Sequence, residues 1–215
     1  MEQLPSLLLC AVIGYLLGSV SAGILYSHLL GSDIRRHGSK NPGASNMLRI
    51  YGMNAGTITF IFDCAKAIGA VLLGRLIAGQ NGAMAAGFFA IIGHNWPLYF
   101  GFKGGKGIAA TAGLILAIHP AFIPMGVILF FGTFLLTHYV SLGSLLVYAG
   151  FLIEMVIMGQ MDLFFMPVGH RAEMYVIAAF LTAMAYWKHR ENIKRLLSGT
   201  ERKTYLFKKN KEALN

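Results

Sequence analysis

The chain has 215 residues, of which 56% are hydrophobic and only 13% charged, with a formal net charge of +9. Soluble domains carry roughly 45–50% apolar and about 25% charged residues, so this composition and a mean hydropathy of +0.61 exclude a soluble enzyme, a disordered chain and a secreted scaffold. They indicate an integral membrane protein, in which the excess positive charge reads as basic cytoplasmic loops, anionic lipid headgroups and phosphate-bearing substrates before it reads as nucleic-acid binding.

Seven apolar segments follow in chain order, at 4–30, 54–79, 82–100, 107–118, 121–139, 142–158 and 174–187. A straight crossing of the ~30 Å hydrocarbon core takes about 20 residues, so 107–118 and 174–187 are short: they either tilt against neighbours or stop partway and line a cavity. The first segment has only Glu2 before its apolar run and no basic n-region, and so reads as a span and not as a cleavable signal peptide. Gly14, Gly18 and Ala22 repeat at four-residue spacing on one face, which lets another helix approach closely. Cys10 and Cys64 lie inside apolar runs and read as small buried hydrophobes. Asp63 and Lys66 stand three apart on the second segment and can pair, whereas Glu154 in the sixth has no local partner; helix glue and a functional role are both open for them. Segment 159–173 reads as an external loop, and Tyr186 and Trp187 before Lys188 as an interfacial anchor. No repeat or low-complexity run is visible. The expected organisation is one membrane-embedded domain over 1–215, with a basic cytoplasmic tail at 188–215.

The basic residues orient this chain. Arg35, Arg36, Lys40 and Arg49 fall between the first two segments, Lys103 and Lys106 between the third and fourth, and nine more in the tail. If seven helices alternate, these fifteen of eighteen cations share one side, which the positive-inside rule makes the cytoplasm. The predicted fold is therefore an all-α membrane protein of seven transmembrane helices, N-terminus outside and C-terminus cytoplasmic, with short cytoplasmic motif loops.

Three polar segments on that side are candidates for chemistry. In the first, Asp33 to Gly52, a dense run of Ser39, Asn41, Pro42, Gly43, Ser45 and Asn46 suits a nest of backbone N–H groups and hydroxyls for an anion, ringed by Arg35, Arg36, Lys40 and Arg49; an ordinary polar turn is the alternative. In the second, Lys103 and Lys106 flank Gly104 and Gly105, which suits close backbone approach to an anion. It is not a Walker loop, because Phe100 stands where glycine is needed and Gly107 follows Lys106. Trp96, Pro97 and Tyr99 read as an aromatic belt. The third, THYVSLGSLL, is a short turn holding His138, Ser141 and Ser144; without an acid to orient the histidine, a nucleophilic serine is disfavoured against a small polar turn. At the head of the tail, His189 and Asn192 share a helical face and can hydrogen-bond a substrate at the membrane surface, while the later lysines clamp anionic lipid. His28 and Asp33 match the His/Asp spacing of an unrelated class of glycerolipid acyltransferases, but the partner motif of that class is missing and the match is set aside.

Taken together, the strings Gly38-Ser39-Lys40-Asn41-Pro42-Gly43-Ala44-Ser45-Asn46 with Arg49, Gly93-His94-Asn95-Trp96-Pro97 leading to Lys103-Gly104-Gly105-Lys106-Gly107, Ser141-Leu142-Gly143-Ser144 and His189-Arg190-Glu191-Asn192 resemble the bacterial acyl-phosphate:glycerol-3-phosphate acyltransferase family, the PlsY family. The similarity runs from about residue 14 to about 203. Ser45 stands where the family usually has threonine, which keeps the hydroxyl, and Ala67 where it usually has glycine; the 159–173 loop is longer than typical. The resemblance implies a seven-helix enzyme of the bacterial inner membrane, with its site facing the cytoplasm. It would transfer a fatty acyl group from acyl phosphate to the 1-hydroxyl of sn-glycerol 3-phosphate, giving lysophosphatidic acid and phosphate, without metal or other cofactor. Expected partners are the two substrates and anionic membrane lipids, with no nucleic acid and no obligate protein partner.

Acyl phosphate is already an activated anhydride, so an enzyme nucleophile is dispensable. Binding two phosphates side by side is what remains, through orientation and charge stabilisation. On this basis Ser39, Asn41, Gly43, Ser45 and Asn46 are expected to cradle one phosphate, that of the acyl donor, and Lys103, Gly104 and Gly105 to belong to the substrate-binding set. Arg49 and Lys106 would hold the glycerol phosphate or bridge both, and Ser144, His189 and Asn192 orient the glycerol hydroxyls or polarise the carbonyl. A transporter of phosphate or a phosphorylated metabolite is the alternative from another class, but its site would lie near the midplane between repeats. A CDP-alcohol phosphotransferase would need clustered aspartates, and this chain has only Asp33, Asp63 and Asp162.

Overall fold

The computed structural model describes residues 4–162 and 171–206, and among these every regular element is helical. The chain divides into two units, Met1–Ile118 with Tyr205–Asn215, and His119–Thr204. In the first unit α1 (Leu4–Ser19), α2 (Ala22–Leu29), α3 (Ala44–Tyr51), α4 (Met53–Asn95) and α5 (Ile108–Ile118) follow in order. The first apolar segment, expected as one run over 4–30, is broken: Ser21 is extended, at φ −110° and ψ 107°. No proline or glycine stands at the break. Its Val20 carbonyl accepts a 2.6 Å hydrogen bond from Lys66 Nζ, and Ser19 Oγ accepts one from the Leu98 N–H at 3.2 Å, so the break is held by tertiary partners.

Helix α4 joins the second and third expected segments. Ala78 and Gly79 leave helical geometry where the boundary between 54–79 and 82–100 was expected, and Gly79, at φ 61°, takes a conformation glycine adopts at little cost. On either side of this kink Gly74 and Gly82 lie backbone to backbone, with no room for a Cβ on either. The second arm ends at Asn95, not at 100. Pro97 disfavours helix at the residue before it, and Leu98–Phe100 form a single 3₁₀ turn instead.

Of the expected small-residue face, Gly14 and Gly18 lie on α1 and meet another helix, whereas Ala22 falls beyond the break, at the start of α2. A Cβ on Gly14 would strike the backbone of Ala86, one on Gly18 that of Ala90, and one on Gly93 the Tyr15 carbonyl. Helices α1 and α4 therefore meet through backbone contact, around a core of Cys10, Ala70, Ala86 and Ala90. Gly113 of α5 meets the Cys64 backbone in the same way, and both cysteines are free thiols in buried positions.

The second unit holds α6 (Ile123–Thr137), α7 (Val140–Gln160), α8 (Arg171–Lys188) and α9 (Arg190–Leu197). Gly143 and Gly150 of α7 face Phe130 and Leu129 of α6. Thr182 Oγ1 and the Tyr186 hydroxyl of α8 donate to the α7 carbonyls of Tyr148 and Leu145, each at 3.3 Å. Of the expected external loop 159–173, residues 163–170 lie outside the described residues; Asp162 and Arg171 on either side of them form an ion pair.

Among the described residues, Leu4–Leu29, Pro120–Thr137 and Val140–Gln160 are long and apolar enough to cross a membrane. They expose large aliphatic side chains, such as Leu8, Val12, Ile128, Leu135 and Ile153, which suits contact with lipid and not with water. Helix α8 is longer than the 174–187 segment, and its 18 residues reach about 27 Å. Helix α5 stays short, its 11 residues covering about 16 Å.

Candidate active site

The first polar loop, between α2 and α3, is folded around Asn46. This side chain is fully buried. Its Oδ1 accepts the Ser39 N–H at 2.9 Å and lies 3.5 Å from Arg49 Nη1, while its Nδ2 donates to the His37 carbonyl at 3.0 Å. Asn46 thus closes the 37–46 loop from within and fixes Arg49 one turn along α3. Gly38 (φ 56°) and Lys40 (φ 60°) are both left-handed, and Asn46 Oδ1 occupies the space a Cβ on Gly38 would need. Asn41 and Gly43 precede the first turn of α3, with Gly43 as its cap. Ser45 stands in the first turn of α3, where the leading N–H groups of a helix gather. Arg49 itself is only 9% exposed.

Asp33 is a structural anchor of this loop. It accepts the Arg35 N–H at 2.9 Å and pairs with the Arg35 guanidinium through both oxygens, at 2.9 to 3.1 Å. Those contacts, chiefly the side-chain hydrogen bonds, lower its pKa to about 2 despite partial burial. Arg35 Nη1 also donates to the Phe100 carbonyl at 2.8 Å, tying the first loop to the second. His28 Nε2 lies 3.9 Å from Asp33 Oδ2, a longer contact than those of Arg35.

The second loop, Lys103 to Gly107, is moulded on the end of α4. The Gly105 N–H donates to the His94 carbonyl at 3.0 Å. A Cβ on Gly104 would strike that carbonyl and the Pro97 ring, and one on Gly105 the His94 ring. The two glycines therefore have a packing reason, where the sequence suggested approach to an anion. Lys103 is exposed and Lys106 half-buried. Beneath the loop, Asp63 and Lys66 pair as their spacing predicted, at 2.8 Å, and His94 joins them: its Nδ1 is 3.0 Å from Lys66 Nζ and 3.5 Å from Asp63 Oδ1.

In the second unit Ser141 and Ser144, read from sequence as part of a turn, sit on the first turns of α7. The turn itself is only His138 and Tyr139, because His138 ends α6 in a left-handed conformation, at φ 61°. Ser144 Oγ donates to the Val140 carbonyl at 2.8 Å. His189 caps α9 rather than lying within it, and is 2% exposed. Its Nδ1 is 2.7 Å from the Ala185 carbonyl; since a carbonyl can only accept, Nδ1 carries the hydrogen, and in the neutral ring Nε2 is the basic nitrogen. Around Glu201, absent from the sequence reading, the structure gathers Ser141 Oγ at 2.8 Å and Asn192 Nδ2 at 2.6 Å on Oε1, and Arg195 Nε at 2.8 Å on Oε2. Burial pushes this carboxyl up, but the three hydrogen bonds and the Arg195 charge outweigh it and hold its pKa below the usual range.

Of the residues singled out by sequence, Ser39, Asn41, Gly43, Ser45, Asn46, Arg49, Lys103, Gly104, Gly105 and Lys106 fall in the first unit, and Ser144, His189 and Asn192 in the second. Sequence reasoning missed the parts played by His94 and Glu201. His94 stood in a matched string, Gly93 to Pro97, and its spacing from the Lys103–Gly107 glycines was the available signal. Glu201 offered none, since its partners lie 6, 9 and 60 residues away.

A family model for glycerol-3-phosphate acyltransferase matches residues 8–199. Among similar proteins, a glycerol-3-phosphate acyltransferase of Clostridioides difficile (strain 630) is 41% identical over 94% of this chain and 97% of its own. One of Halalkalibacterium halodurans is 42% identical over 89% and 93%. Two crystal structures of PlsY, an integral membrane glycerol 3-phosphate acyltransferase, are also similar. The glycerol 3-phosphate form aligns with a TM-score of 0.84 at 30% identity, over 98% of this chain and all of that one. The lysophosphatidic acid form gives 0.79 at 32%, over 94% and 96%.

Proposed function

The chain belongs to the glycerol-3-phosphate acyltransferase family, and on that premise we propose that it transfers a fatty acyl group from acyl phosphate to the 1-hydroxyl of sn-glycerol 3-phosphate, the first acylation of bacterial phospholipid synthesis. The glycerol oxygen attacks the acyl carbonyl carbon, the carbon–oxygen bond to the phosphoryl group breaks, and phosphate departs with the bonding pair. The hydroxyl proton passes to a substrate phosphate oxygen, with His189 Nε2 as the competing base. The observation that carries this reading is the loop folded on Asn46, which holds a backbone N–H and the Arg49 guanidinium about one oxygen beside the start of α3. A loop so folded, with Arg49 and the Ser39 and Ser45 hydroxyls about it, suits a phosphate, and an acyl donor that is already activated needs no enzyme nucleophile.

Ser39, Asn41, Gly43 and Ser45 cradle one phosphate, with Asn46 shaping the cradle from within. Arg49 and Lys106 hold the glycerol phosphate or bridge the two, and Lys103, Gly104 and Gly105 line the second loop. Ser144, His189 and Asn192 orient the glycerol hydroxyls or polarise the carbonyl. The chain is one acyltransferase over 1–215, crossing the inner membrane seven times with its N-terminus outside, its site toward the cytoplasm, and the basic residues of 188–215 on anionic lipid. The transporter alternative has no counterpart in the family to which the chain belongs.

The test is phosphate release by the purified protein in lipid. Palmitoyl phosphate with glycerol 3-phosphate is expected to give phosphate and lysophosphatidic acid, and palmitoyl-CoA without acyl phosphate to give neither. Silence in both reactions, for folded protein, overturns the reading. A His189→Gln variant with near-normal turnover removes His189 as base.

A further inference from the structure

Asp63, Lys66 and His94 are 1%, 9% and 5% exposed, and the chemistry above does not use them. Lys66 Nζ pairs with Asp63 and hydrogen-bonds His94 Nδ1 at 3.0 Å and the Val20 carbonyl at 2.6 Å, so one ammonium joins both arms of α4 to the break between α1 and α2. Burying an ion pair costs free energy that apolar packing of the same volume would not, and charges within membrane segments are retained where they serve function. Lys66 holds the α1–α2 break, and His94 carries the cluster on to the second loop.

What the cluster touches is the second loop. His94 holds it twice, through the hydrogen bond from Gly105 to its carbonyl and through its ring, which fills the space beside Gly105 with Nε2 nearest. The side chain of His94 is in turn fixed by Lys66. An ammonium can only donate, so in its 3.0 Å contact with Lys66 the Nδ1 of His94 accepts and the ring hydrogen falls on Nε2, beside the loop; Asp63 Oδ1, 3.5 Å from the same Nδ1, is the more distant neighbour.

We propose that Asp63, Lys66 and His94 form a positioning network for the Lys103–Gly107 loop: Asp63 holds Lys66, Lys66 fixes the tautomer and tilt of His94, and His94 sets the backbone that carries Lys106. The network tunes the affinity for a substrate phosphate without touching it, which rests on the acyltransferase reading given above. Lys66→Met alone strands the Asp63 charge and destabilises the fold, so the informative variant is Asp63→Asn/Lys66→Met, in which both charges are gone.

Two measurements test it. In hydrogen exchange of the folded double variant, the amides of 103–107 are expected to exchange about tenfold faster than in the wild type. In phosphate release, KM for at least one of palmitoyl phosphate and glycerol 3-phosphate is expected to rise about tenfold, with kcat within threefold. Loop exchange and both KM values at wild-type levels overturn the proposal. His94→Gln, which can place an N–H near the Nε2 position, is expected to retain more loop protection than His94→Ala; equal loss in the two overturns it as well. A wild-type protein silent in the assay speaks against the acyltransferase reading, and loop exchange then still decides the network.

Discussion

Arg49 is a buried guanidinium one helical turn from the Asn46 oxygen that organises its loop. A planar fork in that position suits two parallel hydrogen bonds to a phosphate, and charge-assisted bonds of this kind contribute about 1.5–3 kcal/mol each. Arg49→Ala is therefore expected to raise KM for glycerol 3-phosphate by tenfold or more, and Arg49→Lys to recover only part, because an ammonium is a point charge without the fork. Steady-state kinetics with glycerol 3-phosphate varied checks this; an unchanged KM removes Arg49 from the substrate site. Glu201 carries a pH prediction. Its folded-state pKa lies below that of the unfolded chain, so its stabilising contribution is complete above the unfolded value of about 4.3 and is lost as pH falls through the lower folded value. Melting temperature measured from pH 7 down to 3 is expected to fall less steeply for Glu201→Gln than for the wild type, from a lower starting point at pH 7.

At the scale of helices, the close pairing of α1 with α4 rests on three glycines, Gly14 and Gly18 of α1 and Gly93 of α4, whose missing side chains let the backbones touch. Gly18 faces the Ala90 carbonyl, and Gly14 faces that of Ala86 one turn earlier. Backbone cannot move aside as a flexible side chain does, so Gly18→Ala is expected to cost about 1–3 kcal/mol by overpacking, and Gly18→Leu to separate the helices. Thermal unfolding in detergent reads the first as a lowered melting temperature and the second as loss of folded protein. This pairing was legible in advance, since Gly14 and Gly18 recur at helical spacing. The kink at Ala78–Gly79 was legible too, from the gap between apolar runs. The break at Val20–Ser21 was not, because it is held by Lys66, 46 residues away, and local pattern carries no trace of such a partner. The Asp63–Lys66 pair could be read from its spacing; the third member, His94, sits 28 residues beyond Lys66 and needed the kink to bring it back.

For the whole molecule, the proposed arrangement across the membrane is argued from charge and can be checked independently of catalysis. Arg36 and Ser198 are exposed and stand near basic clusters, whereas Met161, 63% exposed, follows the end of α7. Cations near the ends of spans are retained on the cytoplasmic face, so the proposed orientation assigns Arg36 and Ser198 to that face and Met161 to the other. The two native thiols, Cys10 and Cys64, are buried and give little background toward a membrane-impermeant maleimide. In intact cells with an opened outer envelope, Met161→Cys is expected to label, while Arg36→Cys and Ser198→Cys label only after the inner membrane is breached. Labelling of Arg36→Cys in sealed cells would invert the first loop, and would overturn the proposed cytoplasmic placement of Asn46, Arg49 and the phosphate cradle.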